Sequence, residues 1–198
     1  MTTPIYITGF ESGAFSSNGG GLVSSLVGGA DAPTVQGVTK RTGNYAMKVL
    51  GASVDQQAVW TITASNIVVM SFYFMYHTEP SDVVFIAYST AAAGESLGIY
   101  YDPSDNKLYA YCGGAGAGSV ALSADTWYRI DLRFDTSANP SKIDFKVNGT
   151  AVAQLTYAQA ATTMSNFRLG FPYGAVTGEV YFDDVIVSAT TGDYPINV

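Results

Sequence analysis

WYRIDLRFDTSANPSKIDFKVNGT, residues Trp127 to Thr150, decides how the rest of the chain is read. Tyr128, Ile130, Leu132 and Phe134 alternate with Arg129, Asp131, Arg133 and Asp135, the period of a strand with one dry and one wet face. A polar TSANPS run interrupts the alternation, and Ile143, Phe145 and Val147 resume it against Lys142, Asp144 and Lys146. Asn148-Gly149 then tolerates the positive φ of a tight turn. The stretch predicts two antiparallel strands and the start of a third, with register set by the apolar face. Its outward row of alternating charges is expected to be a solvated face that balances itself and discourages stray edge pairing.

The same pattern recurs elsewhere. Strands are expected over Pro4–Phe10, Tyr45–Leu50, Gln57–Thr63, Val68–His77, Asp82–Ser89, Leu97–Tyr101, Lys107–Cys112, Phe167–Phe171 and Glu179–Ser188. Val68–His77 and Asp82–Ser89 are apolar on both parities, as in central strands covered on both sides. Asp102-Pro103-Ser104-Asp105-Asn106 is a hairpin turn. Gly113–Gly118 reads as a glycine-alanine turn, and only Ala158–Met164 has helical propensity. The expected fold class is all-β: a single-domain two-sheet antiparallel sandwich or jelly roll of about 11–12 strands over residues 1–198, with a core from about 4 to 188. The Gly/Ser-rich segment 14–33 carries Phe15, Leu22, Val23, Leu26 and Val27. It is a flexible linker or an ordered loop that docks on a neighbouring surface. The polar tail 189–198 is expected to leave the core.

Composition agrees. The chain has 198 residues, 47% hydrophobic and 13% charged, enough for one sizeable core. Its 14 Tyr and 10 Phe favour strands, and its 21 Gly and 7 Pro supply turns. A net charge of −7 argues against nucleic acid or an anionic membrane as partner. Cys112 is the one cysteine, so no intrachain disulfide forms and a small core residue is the simplest reading. The opening MTTPIYITGF lacks the basic and apolar regions of a signal peptide, and no apolar run approaches the ~18–20 residues that span a bilayer.

LGIYYDPSDNKLYAY, LSADTWYRIDLRFD, KIDFKVNGT, FRLG and GEVYFDDVIVS, in that order, resemble the concanavalin A-like lectin/glucanase jelly roll in its laminin-G-like branch. Trp127, the Asn148-Gly149 turn and Phe182-Asp183-Asp184-Val185 carry the resemblance, which covers about Pro4 to Ser188. GFESG (residues 9–13) and RTGNYAMKV (residues 41–49) also resemble single-domain versions in structural proteins of tailed bacteriophages. The resemblance implies a non-enzymatic virion protein, a capsid decoration or a tail or fibre component, made in the host cytoplasm. Its implied partners are other virion proteins and further copies of itself. The alternative it implies is a carbohydrate-binding module that holds host-surface glycans.

Enzyme chemistry is not expected. The Glu-x-Asp-x-x-Glu string of the family's glucanases is missing, and Glu179 and Asp183, four residues apart on one strand, stand roughly 13 Å apart. That exceeds the ~5–5.5 Å of a retaining and the ~6.5–9.5 Å of an inverting carboxylate pair. His77 is the one histidine and no G-x-S-x-G nucleophile signature accompanies it. One His and one Cys are too few for zinc. Gly113–Gly118 has no phosphate-loop lysine.

Two constellations are left. Sugar faces stack on exposed aromatics, and the candidates are Tyr100, Tyr101, Tyr109, Tyr111, Tyr173 and Trp60, although a chain with 14 Tyr must also bury many. Asp183-Asp184 lies in an apolar strand, where by parity Asp184 goes with Val180, Phe182 and Ile186, and Asp183 with Tyr181, Val185 and Val187. A buried carboxylate needs a partner: backbone N–H groups, an arginine such as Arg168, or a hard cation. In related jelly rolls a Glu like Glu11 and a C-terminal Asp share a structural Ca²⁺, which takes six to eight oxygens. The resemblance therefore places Glu11, Asp183 and Asp184 as candidate ligands, with carbonyls of Gly9–Gly13 nearby.

Overall fold

In the computed structural model, residues 6–8, 10–15, 23, 25–90, 96–113, 115–158 and 162–195 are described. Fifteen strands lie among them: β1 (Tyr6–Thr8), β2 (Ser25–Val27), β3 (Thr34–Gln36), β4 (Ala46–Leu50), β5 (Gln56–Ser65), β6 (Ile67–Thr78), β7 (Val84–Thr90), β8 (Ser96–Asp102), β9 (Lys107–Cys112), β10 (Ala115–Ala121), β11 (Tyr128–Asp135), β12 (Ser141–Val147), β13 (Thr150–Tyr157), β14 (Met164–Phe171) and β15 (Glu179–Ser188). They form an eight-stranded sheet in the order β13-β12-β11-β6-β15-β4-β3, with β1 also on β15, and a seven-stranded sheet in the order β10-β9-β8-β7-β14-β5-β2. Every strand pair is antiparallel. This is the expected all-β sandwich, and the described residues contain only two short 3₁₀ turns and no helix long and apolar enough to cross a membrane.

The opening stretch does what its alternation requires. Ile130, Leu132 and Phe134 on β11 face Val147, Phe145 and Ile143 on β12 and Phe72, Met70 and Val68 on β6. These nine side chains are 5% exposed or less and build one inner wall of the core. On the other face Asp131 opposes Lys146, Arg133 opposes Asp144 and Asp135 opposes Lys142, an opposite charge at each register position. That face is less open than its charges suggest. Asp131 is buried and accepts from Arg129 Nε (3.2 Å) and Nη2 (3.0 Å). Tyr194 lies over Arg133 and Lys146, with cation-to-ring distances of 5.5 and 4.9 Å.

Tyr194 also corrects the reading of the tail. Residues 190–195 fold back instead of leaving, with Ser188 Oγ donating to Asp193 Oδ2 (2.5 Å) and Tyr194 packed beside Val69 and Ile186. Burial raises the Tyr194 phenol above its usual range.

Three strands were not expected. β2 and β3 are three-residue edge strands, and β10 is built from AGAGSVA, the segment read as a turn. Of the Gly/Ser-rich segment 14–33, Ser25–Val27 pairs with Val59–Gln57 on β5. Residues 16–22 and 24 lie outside the described residues, as do 159–161 of the helical expectation.

Candidate functional site

The second sheet turns an aromatic face outward. On β8 and β9, Leu97, Ile99, Tyr101, Leu108, Ala110 and Cys112 are fully buried, so the alternate residues Tyr100, Tyr109 and Tyr111 must point away from the core. Tyr100 and Tyr109 are register partners and stack at 5.2 Å and 11° between ring planes. Phe85 from β7 stands edge-on to Tyr111 (5.0 Å, 85°) and Tyr100 (6.3 Å, 78°), and Tyr173, 55% exposed on the loop after β14, closes the group at 6.5 Å from Phe85. Glycines leave room for these rings. A Cβ at Gly116 would stand 2.8 Å from Tyr100 Oη, and one at Gly98 would stand 2.6 Å from Tyr88 Cβ. Val83, Val84, Phe85, Tyr100, Asp102, Tyr111, Gly116 and Tyr173 line a groove of about 300 Å³.

Polar groups flank the rings at both ends. At the hairpin, Asp102 accepts from Ser104 N and Oγ (2.9 and 2.7 Å), and Asp105 accepts from Lys107 Nζ (2.8 Å) and Tyr109 Oη (2.5 Å). Hydrogen bonds from Lys107 and then Tyr109 hold Asp105 below the usual carboxylate range. Across the sheet, Tyr88 Oη donates to Gln57 Oε1 (2.7 Å) and Arg168 lies over the Tyr88 ring (5.6 Å). Burial pushes the phenols of Tyr88 and Tyr100 up, so both are neutral hydroxyls at neutral pH.

Four of the six aromatic candidates therefore share one surface: Tyr100, Tyr109, Tyr111 and Tyr173. Trp60 and Tyr101 do not join them. Trp60 is fully buried and stacked on Phe167 (4.7 Å, 9°), its register partner across β5 and β14. Tyr101 points into the core, where its hydroxyl meets Glu79 and Asn106. Parity forces this, because Tyr100 and Tyr101 are neighbours on one strand and cannot both face out. Phe85, at the centre of the cluster, lies in the run Asp82–Ser89 that is apolar on both parities and was expected to be covered on both sides; instead it is only partly buried and faces out, ahead of the bulge between Phe85 and Ala87.

The acidic candidates gather around a different feature, the turn at residues 41–44. Asp183 Oδ2 accepts from the backbone N–H of Arg41 (2.9 Å) and Thr42 (3.3 Å), and its Oδ1 from Asp184 N (2.8 Å). Asp184 accepts from Thr42 Oγ1 (2.9 and 3.0 Å), with Arg41 Nη1 3.6 Å away. Glu11 grips the other end through Asn44 N (2.7 Å) and Nδ2 (3.2 Å). Backbone N–H groups, not Arg168, are thus the partner of the buried carboxylate. Asp184 has φ of 49° and sits in a bulge between Asp183 and Ile186. The bulge inverts the parity of β15: Val180 and Phe182 face the core before it, Val185 and Val187 after it, and Ile186 faces out. It also marks where the edge of β15 opposite β6 passes from β4 to β1. Burial, opposed by the N–H of Arg41, raises Asp183 to about 6.

As a calcium site the donor set has hard oxygens, but each carboxylate is engaged by protein donors. Among the described residues no three His, Cys, Asp or Glu side chains converge to hold a metal ion. His77 is exposed and bonded through Nδ1 to Asp125 Oδ1 (2.6 Å), which raises its pKa, and Cys112 is buried.

No known family model and no curated protein matches the chain. Solved structures do. The cellulose-induced protein Cip1 superposes with a TM-score of 0.68 at 14% identity, over 93% of this chain and 97% of that one. The botulinum neurotoxin serotype G binding domain gives 0.63 at 11% identity, over 94% of this chain and 48% of that one. A mutant Trypanosoma rangeli sialidase displaying trans-sialidase activity gives 0.59 at 17% identity, over 79% of this chain and 27% of the enzyme. At these identities the likeness is one of fold: the same β-sandwich, spanning nearly all of Cip1, about half of the toxin domain and about a quarter of the sialidase. The bacteriophage reading rests on the sequence resemblance alone.

Proposed function

We propose that the chain is a carbohydrate-binding β-sandwich module whose ligand lies on the outer face of the seven-stranded sheet. The observation that supports this most is the outward cluster of Phe85, Tyr100, Tyr109, Tyr111 and Tyr173, which a sheet facing only water has no reason to keep. Sugars offer apolar C–H faces to such rings and hydroxyls to flanking groups such as Asp102, the mix that specific small-molecule sites use. The solved structures that share this sandwich include a T. rangeli sialidase in complex with sialic acid, but this chain spans 27% of that enzyme, so the likeness bears on the fold and not on where the sugar sits.

The test is a glycan array followed by calorimetry. Wild type is expected to retain a subset of glycans, and Tyr111→Ala and Tyr173→Ala to weaken them about tenfold or more each, while melting temperature moves by only a few degrees. An array without signal, or binding indifferent to both substitutions, would sink the proposal.

The virion reading is compatible, since a particle surface protein that assembles with copies of itself can also hold host glycans. Its support is the resemblance of residues 9–13 and 41–49, two segments that Glu11 and Asn44 bond together. A gene lying apart from capsid and tail genes would count against it.

We further propose that hydrogen bonds, rather than Ca²⁺, secure the 41–44 turn. A cation there would have to draw Glu11 and Asp184 from Asn44 and Thr42. Adding Ca²⁺ to EDTA-treated protein is expected to leave Tm within about a degree, whereas a rise of several degrees would assign the turn to the cation.

A further inference from the structure

The chain has four arginines, and three of them face a carboxylate: Arg41 faces Asp184, Arg129 faces Asp131 and Arg133 faces Asp144. Arg168 is the exception. Its Nε donates to Asn166 Oδ1 (3.3 Å) and its Nη1 to Gln57 Oε1 (3.3 Å) and Tyr88 Oη (3.4 Å), all neutral oxygens, and it has no carboxylate partner among the described residues. Nη2, with two N–H groups, makes no bond to the protein there. In a chain with 16 acidic against 9 basic residues, a half-buried guanidinium held in place by neutral oxygens is out of character; Asp55 is near enough to act on Tyr88 but forms no ion pair with Arg168.

Its position gives the exception a meaning. Arg168 is the register partner of Tyr88, and the path from its guanidinium to Tyr88 (5.6 Å), from Tyr88 to Phe85 (5.6 Å) and from Phe85 to Tyr100 (6.3 Å) is unbroken. Gln57 and Tyr88 are 2% and 7% exposed, so their oxygens hold Nη1 from beneath and leave the fork turned outward. The aromatic row is therefore polarised, with Arg168 at one end and, at the other, Asp102 beside the Asp105–Lys107 ion pair.

We propose that the face binds acidic oligosaccharides, with a sugar carboxylate on Arg168 Nη2 and the neighbouring sugar rings on Phe85 and Tyr100. This inference rests on the carbohydrate reading above. A neutral glycan offers Nη2 only a hydroxyl oxygen, whereas a carboxylate brings the opposite charge as well as the hydrogen bond to a donor whose orientation is already set.

The experiment compares homo-oligomers of glucuronic, galacturonic and mannuronic acid with the same oligomers after carboxyl reduction, on wild type, Arg168→Gln and Arg168→Lys. Melting temperature is followed for each variant. Wild type is expected to prefer at least one acid form by about tenfold or more, the range of a hydrogen bond to a charged group. Arg168→Gln is expected to bind acid and reduced forms equally, and Arg168→Lys to keep part of the preference. Equal binding of the two forms by wild type, or a preference that survives in a folded Arg168→Gln, overturns the inference and leaves the carbohydrate reading intact. Should wild type bind only neutral glycans on the array, the inference falls alone; should it bind none, both fall.

Discussion

Asp183→Ala is expected to lower the unfolding free energy by about 2–4 kcal/mol, read as a shifted denaturation midpoint with an unchanged slope. The carboxylate is fully buried and accepts three backbone N–H groups, those of Arg41, Thr42 and Asp184. Alanine leaves all three donors beside a void, and the turn they belong to also anchors Glu11 and Asp184. The loss is greater than that of an ordinary surface contact because Asp183 stands where β15 exchanges one neighbour for another. Among the described residues no strand pairs with Arg41–Thr42, and the Asp183 side chain takes their N–H groups instead. Asp183→Asn keeps one oxygen but turns an NH₂ toward one set of donors, and a smaller loss is expected.

The two variants also separate charge from hydrogen bonding by their pH dependence. Asp183 is raised from 3.8 to about 6, so the folded state holds this proton more tightly than the unfolded chain. On this group's account stability is highest below about pH 4 and is lost as pH rises through about 6. Asp183→Asn cannot titrate. The difference in unfolding free energy, wild type minus Asp183→Asn, is therefore expected to fall between pH 4 and pH 6.5 in EDTA-containing buffer. A difference that rises, or stays flat, would show that the three N–H donors outweigh burial.

How far the sequence reaches depends on which interactions are local. Ile130, Leu132 and Phe134 alternate cleanly because β11 is central and without bulges between its two neighbours, so its register was legible outright. AGAGSVA was not legible as β10, because glycine and alanine carry little strand preference and the strand exists through pairing with Lys107–Cys112. Parity separates Tyr100 from Tyr101 but says nothing about which of them faces the core; that depends on the other sheet. In β7 both parities are apolar, so nothing local marks Phe85 as the ring that faces out, and in β15 the bulge resets parity midway and misplaces Ile186. The hold of Asp183 on the 41–44 turn spans about 140 residues of sequence, and no local pattern announces it.

Trp60→Ala carries the largest expected cost, about 3–5 kcal/mol, the usual range for truncating a large aromatic side chain in a core. Trp60 lies wholly between the sheets and stacks flat on Phe167, and the space it fills is walled by strands that cannot collapse without breaking ladders. Trp60→Phe is expected to cost much less than alanine. The indole Nε1 is buried without a hydrogen-bond partner, so phenylalanine discards an unsatisfied donor while keeping a ring against Phe167. This pair of substitutions also distinguishes the two aromatic sets by opposite readouts. Trp60→Phe is expected to leave glycan affinity unchanged at a reduced melting temperature. Tyr111→Ala is expected to do the reverse, since its ring faces out over Gly98 and Gly116 and its loss opens no internal cavity. If Trp60→Phe abolished binding in a folded protein, the ligand would have to enter between the sheets, and the outer face would lose its assignment.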